Sequence, residues 1–183
     1  MKEIPTIKTK RLVLSKLTAA DIPMIVKYAA NENIAKYTQN LPHPYFEKDA
    51  IFWLNLANEG YEDGSRLVLA MRDKNSLGFM GGISLTINKK NNRGEVSYWI
   101  GEPFWSKGYT TEATKTIMKY GFEELKLNKI TSTHMSDNLA SGKVMIKCGM
   151  HKEGELKQDR IKDGIYHDLL LYGITRDEYE AKQ

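Results

Sequence analysis

Between Arg11 and Leu17 apolar and polar side chains alternate, the period of a strand with one buried face. Thr18 and Asp21 follow at the spacing of a capping box. Ile22, Ile25, Val26 and Ala29 then recur at helical intervals. The pattern breaks in "NLPHPY", where Pro42 and Pro44 disfavour a helix. It resumes at Glu47, with Ala50, Trp53, Leu54 and Ala57 on one face, and ends in "NEGYEDGS". Three alternating runs come next: "RLVLAMR", "LGFMGGISLTI" and "EVSYWI". The short polar segments between them predict an antiparallel meander. Glycines inside the middle run point to a bulge or a close approach of backbone.

The second half of the chain changes period. After "FWSKGYTTEA", Ala113, Ile117, Gly121 and Leu125 form a helical stripe, flanked by Thr114, Met118 and Phe122. "KITSTHM" is rich in β-branched residues and predicts a strand. "DNLASGKVMIKCGM" predicts a helix capped by Asp137 or Asn138 and stopped by Gly149. Two closing strands, near "HKEGELKQDRI" and "IYHDLLLYGI", are joined by a "KDG" turn. The expected class is α/β: a mixed, mostly antiparallel sheet of about seven strands with helices on both faces, in one domain over residues 1–183.

Composition narrows the setting. The chain has 183 residues, 41% of them hydrophobic, which is enough for a substantial core. Charge interrupts every apolar run well short of the roughly 20 residues of a membrane span. "MKEIPTIKTKRLVL" has no apolar core of the kind a secretory signal needs. The single cysteine, Cys148, excludes an internal disulfide, so a cytoplasmic location is the expectation. A net charge of +4 describes a mildly basic surface. That balance is too small to single out an anionic partner, and aromatic RNA-binding signatures are missing, which argues against nucleic acid.

The chemistry concentrates in "WSKGYT", which joins a strand end to a helix start. Unpaired N–H groups at a helix N-terminus converge on an anion, and the helix dipole adds to the pull. Gly108 permits the turn, and Lys107 would add charge at its rim. Neither the Walker pattern nor the dinucleotide fingerprint is present. One strand further on, "NLASGKVMIKCGM" sets Asn138 and Ser141 in the first turn of a second helix.

Together these segments resemble the GNAT acetyltransferase superfamily, in the branch that holds the ribosomal-protein N-terminal acetyltransferases. The likeness runs from "TKRLVLSKLTAAD" through "LPHPYFEKDAIFWL" and "GEVSYWIGEPFWSKGYTTEA" to "DGIYHDLLLYGI". It implies a GNAT-type sheet, acetyl-CoA as cosubstrate, no metal, and direct transfer of the acetyl group to a primary amine. In the family's R/Q-x-x-G-x-G/A loop, Gly108 matches, while Trp105 stands where Arg or Gln is usual and Thr110 where Gly or Ala is usual. The resemblance assigns the backbone around Lys107, Gly108, Tyr109, Thr110 and Thr111 to the coenzyme diphosphate. It places Trp99, Ile100, Asn138 and Lys143 with the rest of the coenzyme. The tyrosine that many relatives use as an acid would fall at Met145, and Ser141, one turn earlier, is the residue implied to return a proton to the departing thiolate.

The acceptor side gives thinner signals. Glu95 shares a strand face with Ser97 and Trp99 and is a candidate base, or a solvated strand end. His43, Tyr45 and Trp53 are candidates for the acceptor wall, the family's loop before the second helix bordering that site; as a structural alternative, Tyr45 and Trp53 fill core. Cys148 has no base nearby in sequence and fits a buried filler better than an acetyl-enzyme nucleophile. His134, His151 and His167 lack metal-ligand spacing. The acceptor expected from the resemblance is the N-terminus of a ribosomal protein or another peptide. A polyamine or aminoglycoside acceptor is the alternative, and a non-catalytic ribosome- or RNA-binding module is the alternative of another class.

Overall fold

The computed structural model describes residues 4–182; residues 1–3 of the N-terminal stretch, and 183, lie outside it. A short β1 (Ile7–Lys8) pairs with β2 (Leu12–Lys16). A 3-10 turn over Ala19–Asp21 then leads into α1 (Ile22–Ala29), α2 (Glu32–Ala35) and α3 (Glu47–Glu62). The meander is β3 (Arg66–Asp73), β4 (Phe79–Asn88) and β5 (Arg93–Ile100). It is followed by α4 (Tyr109–Glu123), β6 (Lys129–Met135), α5 (Leu139–Lys147), β7 (His151–Lys162), β8 (Ile165–Thr175) and α6 (Arg176–Glu180).

Among the described residues eight strands form one sheet in the order β1-β2-β3-β4-β5-β6-β8-β7. The count is eight rather than about seven because β1 is two residues long, too short to leave a period in the sequence. Every pairing is antiparallel except β5 with β6.

Strand alternation sorts the core into two halves. Leu67, Leu69 and Met71 of β3 face the side covered by α4, where Ile117, Met118 and Phe122 are fully buried. Val68 and Ala70 face the other side, under Ile25, Ala29, Ala50 and Ala57 of α1 and α3. The capping residues do what their spacing predicts. Asp21 accepts from the Thr18 amide at 2.8 Å, and Asn138 accepts from the Ser141 amide at 3.2 Å. Asp21 also forms a buried ion pair with Arg72 on β3, at 2.6 Å, which ties the start of α1 to the sheet.

The β4 glycines serve both expected purposes. The register slips between Met71 and Arg72, opposite Phe79 and Gly81. A Cβ on Gly82 would stand 2.6 Å from Cη2 of Trp53, so α3 reaches the sheet only over a residue without a side chain.

The feature that makes a site is the divergence of β5 from β6. They pair only from Arg93 opposite Lys129 to Glu95 opposite Thr131. Beyond that, Ser132 Oγ donates to the Val96 carbonyl at 2.8 Å, and the strands then separate.

Candidate active site

The divergence opens a cleft of about 550 Å³ between the end of β5, the N-terminal ends of α4 and α5, and α2. Its β5 wall is Tyr98, Trp99 and Ile100. Peptide groups on a strand alternate in direction. Those of Ser97 and Trp99 turn to β4, as the Gly101 amide does in donating to the Met80 carbonyl at 2.8 Å. Val96, Tyr98 and Ile100 therefore point theirs into the divergence. The Val96 carbonyl takes Ser132 and the Ile100 carbonyl takes the Trp105 indole N–H at 2.8 Å, which leaves the Tyr98 peptide groups, its N–H among them, and the Ile100 N–H turned toward the divergence.

At one end the loop before α4 is folded back under itself. Ser106 (φ 59°) and Gly108 (φ 78°) both take left-handed backbone, and Gly108 caps the helix. The first backbone bond inside α4 runs from the Glu112 amide to the Gly108 carbonyl, 3.1 Å. The amides of Tyr109, Thr110 and Thr111 precede it and have no carbonyl to accept them among the described residues, and all three residues line the cleft. The loop is pinned from behind. Glu112 Oε1 accepts from the Thr9 hydroxyl at 2.6 Å and the Arg11 amide at 2.8 Å, while Oε2 pairs with Arg11 Nε at 2.7 Å. Burial works to raise the Glu112 carboxyl, but the hydrogen bonds from Thr9 and Arg11 outweigh it and hold it below the ordinary carboxylate range.

The α5 wall supplies Asn138, Ser141, Lys143, Val144 and Lys147. Asn138 and Tyr98 both fix Ser141, the first through its amide and the second by donating its phenol to the Ser141 carbonyl at 3.1 Å. Burial, with Cys148 nearby, pushes the Tyr98 phenol well above its ordinary range, so it stays a donor at physiological pH. Met145 is fully buried and carries no proton to give. The Cys148 thiol donates to the Thr111 carbonyl at 3.7 Å, and burial raises it to about 12, which removes it as a nucleophile near neutrality.

Trp99, Ile100, Gly108, Tyr109, Thr110, Thr111, Asn138, Ser141 and Lys143 are thus brought to one cleft. Five other expected residues are placed elsewhere. The Lys107 ammonium turns back to the Pro103 carbonyl at 2.8 Å rather than out to the rim. Glu95 lies in a separate depression with Asp63, Ser65 and Arg93, because it sits on the paired half of β5, before the strands part. Tyr45 is buried in the α1–α3 core, where desolvation first and Asp49 second raise its phenol to about 12. Trp53 packs on Trp99, with ring centres 5.8 Å apart, and backs the wall without lining it. His43 is exposed on the loop before α3 and does not line the cleft.

Sequence reasoning missed the outer wall, formed by Asn33, Ile34, Tyr37 and Thr38, together with Tyr98 and Lys147. Lys147 was readable as the residue one turn beyond Lys143. The four-residue α2 left no period to read. Among the described residues no cluster of three His, Cys, Asp or Glu is arranged for a metal, and no helix is long and apolar enough to cross a membrane.

The family model of the acetyltransferase (GNAT) domain matches residues 11–151, three-quarters of the chain. The chain belongs to the GNAT family. It is an acetyl-CoA-dependent acetyltransferase. A curated relative, the uncharacterized N-acetyltransferase YnaD of Bacillus subtilis, is 30% identical over 174 residues, covering 94% of this chain and 98% of its own. Two solved GNAT structures share the fold at lower identity. The ribosomal-protein α-N-acetyltransferase RimL, in complex with coenzyme A, superposes with a TM-score of 0.85 at 18% identity, covering 97% of this chain and 99% of its own. The spermidine N-acetyltransferase of Vibrio cholerae, in complex with CoA and spermine, gives 0.80 at 23%, covering 94% and 99%. One fold thus carries a protein acceptor in one case and a polyamine in the other, so the acceptor has to be argued from the cleft.

Proposed function

We propose that this acetyltransferase acts on the α-amino group of a peptide or protein, the N-terminus of a ribosomal protein being the leading class. The charge of the cleft carries this reading. Among the described residues that line it, the only charged side chains are Lys143 and Lys147. The carboxylate by its rim, Glu102, is already held by the side-chain amides of Asn31 and Asn33. A polyamine or aminoglycoside entering here would leave its extra cations unpaired. A wall without a carboxylate base also requires an acceptor that is neutral on arrival. An α-amino group, at roughly 7.7 to 8, has on the order of a tenth of its population neutral near pH 7, whereas an alkylamine near 10.4 has less than about a thousandth.

The coenzyme fits the other end of the cleft. Free amides at the start of α4 suit a diphosphate, and Lys143 and Lys147 lie one turn apart on α5 to meet further phosphate charge. Acetyl-CoA brings an activated thioester, so no covalent enzyme intermediate is needed. The Tyr98 N–H faces the cleft as a donor to the carbonyl oxygen as charge develops there. The acceptor nitrogen bonds to the acetyl carbon, the C–S bond breaks, and the proton lost by nitrogen is balanced by one delivered to sulfur. Ser141, whose hydroxyl has no hydrogen-bond partner among the described residues, passes its proton to sulfur and takes up the one lost by the acceptor nitrogen, so the serine ends the cycle as a neutral hydroxyl.

Thiol release from acetyl-CoA, measured across short peptides with free and blocked N-termini, spermidine and an aminoglycoside, tests the acceptor. Turnover is expected with free N-termini and is expected to vanish on blocking them. Faster turnover of spermidine than of any peptide sinks the reading.

A further inference from the structure

The loop that resembles the family's diphosphate loop has Trp105 where an Arg or Gln is usual, and the one cation within it, Lys107, is tied to Pro103. A guanidinium nevertheless stands behind the loop, contributed by β1–β2, almost a hundred residues away in sequence. Arg11 Nη1 donates to the Lys107 carbonyl at 2.8 Å, its Nε pairs with Glu112 at 2.7 Å, and its plane lies over the Tyr109 ring at 4.4 Å. A Cβ on Gly108 would be 3.5 Å from Nη2.

We infer that Arg11 is the positioning residue of the coenzyme loop: it turns the Lys107–Gly108 peptide so that its carbonyl faces the guanidinium and its N–H faces the diphosphate. The reason is covalent. In a trans peptide the C=O and the following N–H point in opposite directions. With the Lys107 oxygen captured on the β2 side, the Gly108 N–H is aimed the other way, on the cleft side, where Gly108 is exposed to the cavity. The opposite flip would present a carbonyl to an anion, and a left-handed glycine puts up little resistance to it. Arg11 supplies what the loop's own side chains do not: a fixed carbonyl and a positive charge behind the amides. Glu112, itself held by the Thr9 hydroxyl and the Arg11 amide, fixes the guanidinium in that pose, so a carboxylate beside an anion site acts through the arginine it orients. The effect belongs to the diphosphate and leaves the reacting atoms untouched. This inference rests on the assignment of the α4 start to the coenzyme diphosphate.

Arg11→Met and Arg11→Lys are compared with wild type using two acyl donors, acetyl-CoA and acetyl-pantetheine, which lacks the diphosphate. Arg11→Met is expected to raise KM for acetyl-CoA about tenfold, the loss of a charge-assisted hydrogen bond, with kcat changed by less than about twofold. Its kcat/KM for acetyl-pantetheine is expected to match wild type. Arg11→Lys keeps the charge without the fork and is expected to recover part of the loss, and it serves as the test protein if the methionine variant does not fold. An unchanged KM for acetyl-CoA, or an equal loss for both donors while wild type still prefers acetyl-CoA, overturns the role of Arg11 alone. A wild-type enzyme that treats the two donors alike overturns the diphosphate site itself, and the inference with it.

Discussion

The two ends of the cleft are built on opposite principles. At the end proposed for the coenzyme the groups free to face a ligand are main-chain amides, and side chains such as Arg11, Thr9 and Glu112 are spent on holding that backbone still. At the end proposed for the acceptor the wall is side chains on and after the short helix α2, a segment tied at two points. Glu102 clasps Asn31 and Asn33, and Lys162, at the tip of the β7–β8 hairpin, donates to the carbonyls of Thr38 and Leu41 at 3.1 and 2.8 Å. A coenzyme that is the same for every relative can be gripped by backbone, which does not depend on side-chain identity. An acceptor that differs between relatives is met by side chains on straps that can be exchanged.

That contrast gives each end its own kinetic signature, and Ser141 stands between them. Ser141→Ala is expected to lower kcat on the order of a hundredfold while KM for acetyl-CoA stays near wild type, read by steady-state thiol release. Unchanged kcat removes its role as proton donor. Gly108→Val forces a branched side chain into a backbone at φ 78°. It is expected to weaken CoA binding about tenfold to a hundredfold in calorimetry and to leave the acceptor KM alone. Lys162→Ala should do the converse, raising the acceptor KM about threefold to tenfold with acetyl-CoA kinetics unchanged. A coenzyme effect from Lys162→Ala, or an acceptor effect from Gly108→Val, breaks the division between the two ends.

The smallest effect is on stability. Because the folded-state Glu112 carboxyl lies below its ordinary value of 4.5, its contribution is fully present above that value and is lost as pH falls through the lower, folded-state value. The gap in melting temperature between wild type and Glu112→Gln should therefore be widest at neutral pH and close as the solution is acidified below about pH 4. A gap that widens on acidification contradicts the Thr9–Glu112–Arg11 network.

Legibility in the sequence follows the same line. The helices α1, α3 and α4 announce themselves because each buries an apolar face, and α5 through its cap at Asn138 and its stop at Gly149. Gly108 and Asn138 announce the end proposed for the coenzyme because a left-handed cap and a side-chain cap favour those residue types. The acceptor end has no such constraint. A four-residue helix has no period, and the bonds that strap it, from Lys162 to Thr38 and Leu41, cross more than a hundred residues. Aromatic residues there stayed open for the same reason: Tyr45 and Trp53 suit a pocket wall and a core equally, and the structure puts Tyr45 in the α1–α3 core and Trp53 over Gly82, behind the wall. Glu95 stayed open between a base and a solvated strand end because strand parity is readable and the point where two strands part is not. Arg11 was invisible as a loop residue because its partners lie on another element.

Amide chemical shifts of the labelled protein, followed during titration with CoA and separately with pantetheine, test the central claim most directly. The claim is that the N–H groups from Gly108 to Thr111 hold the coenzyme diphosphate. The expected result is a large displacement of those four resonances by CoA and little by pantetheine. Displacements of equal size with both ligands, or a loop that stays silent while CoA binds, would contradict it.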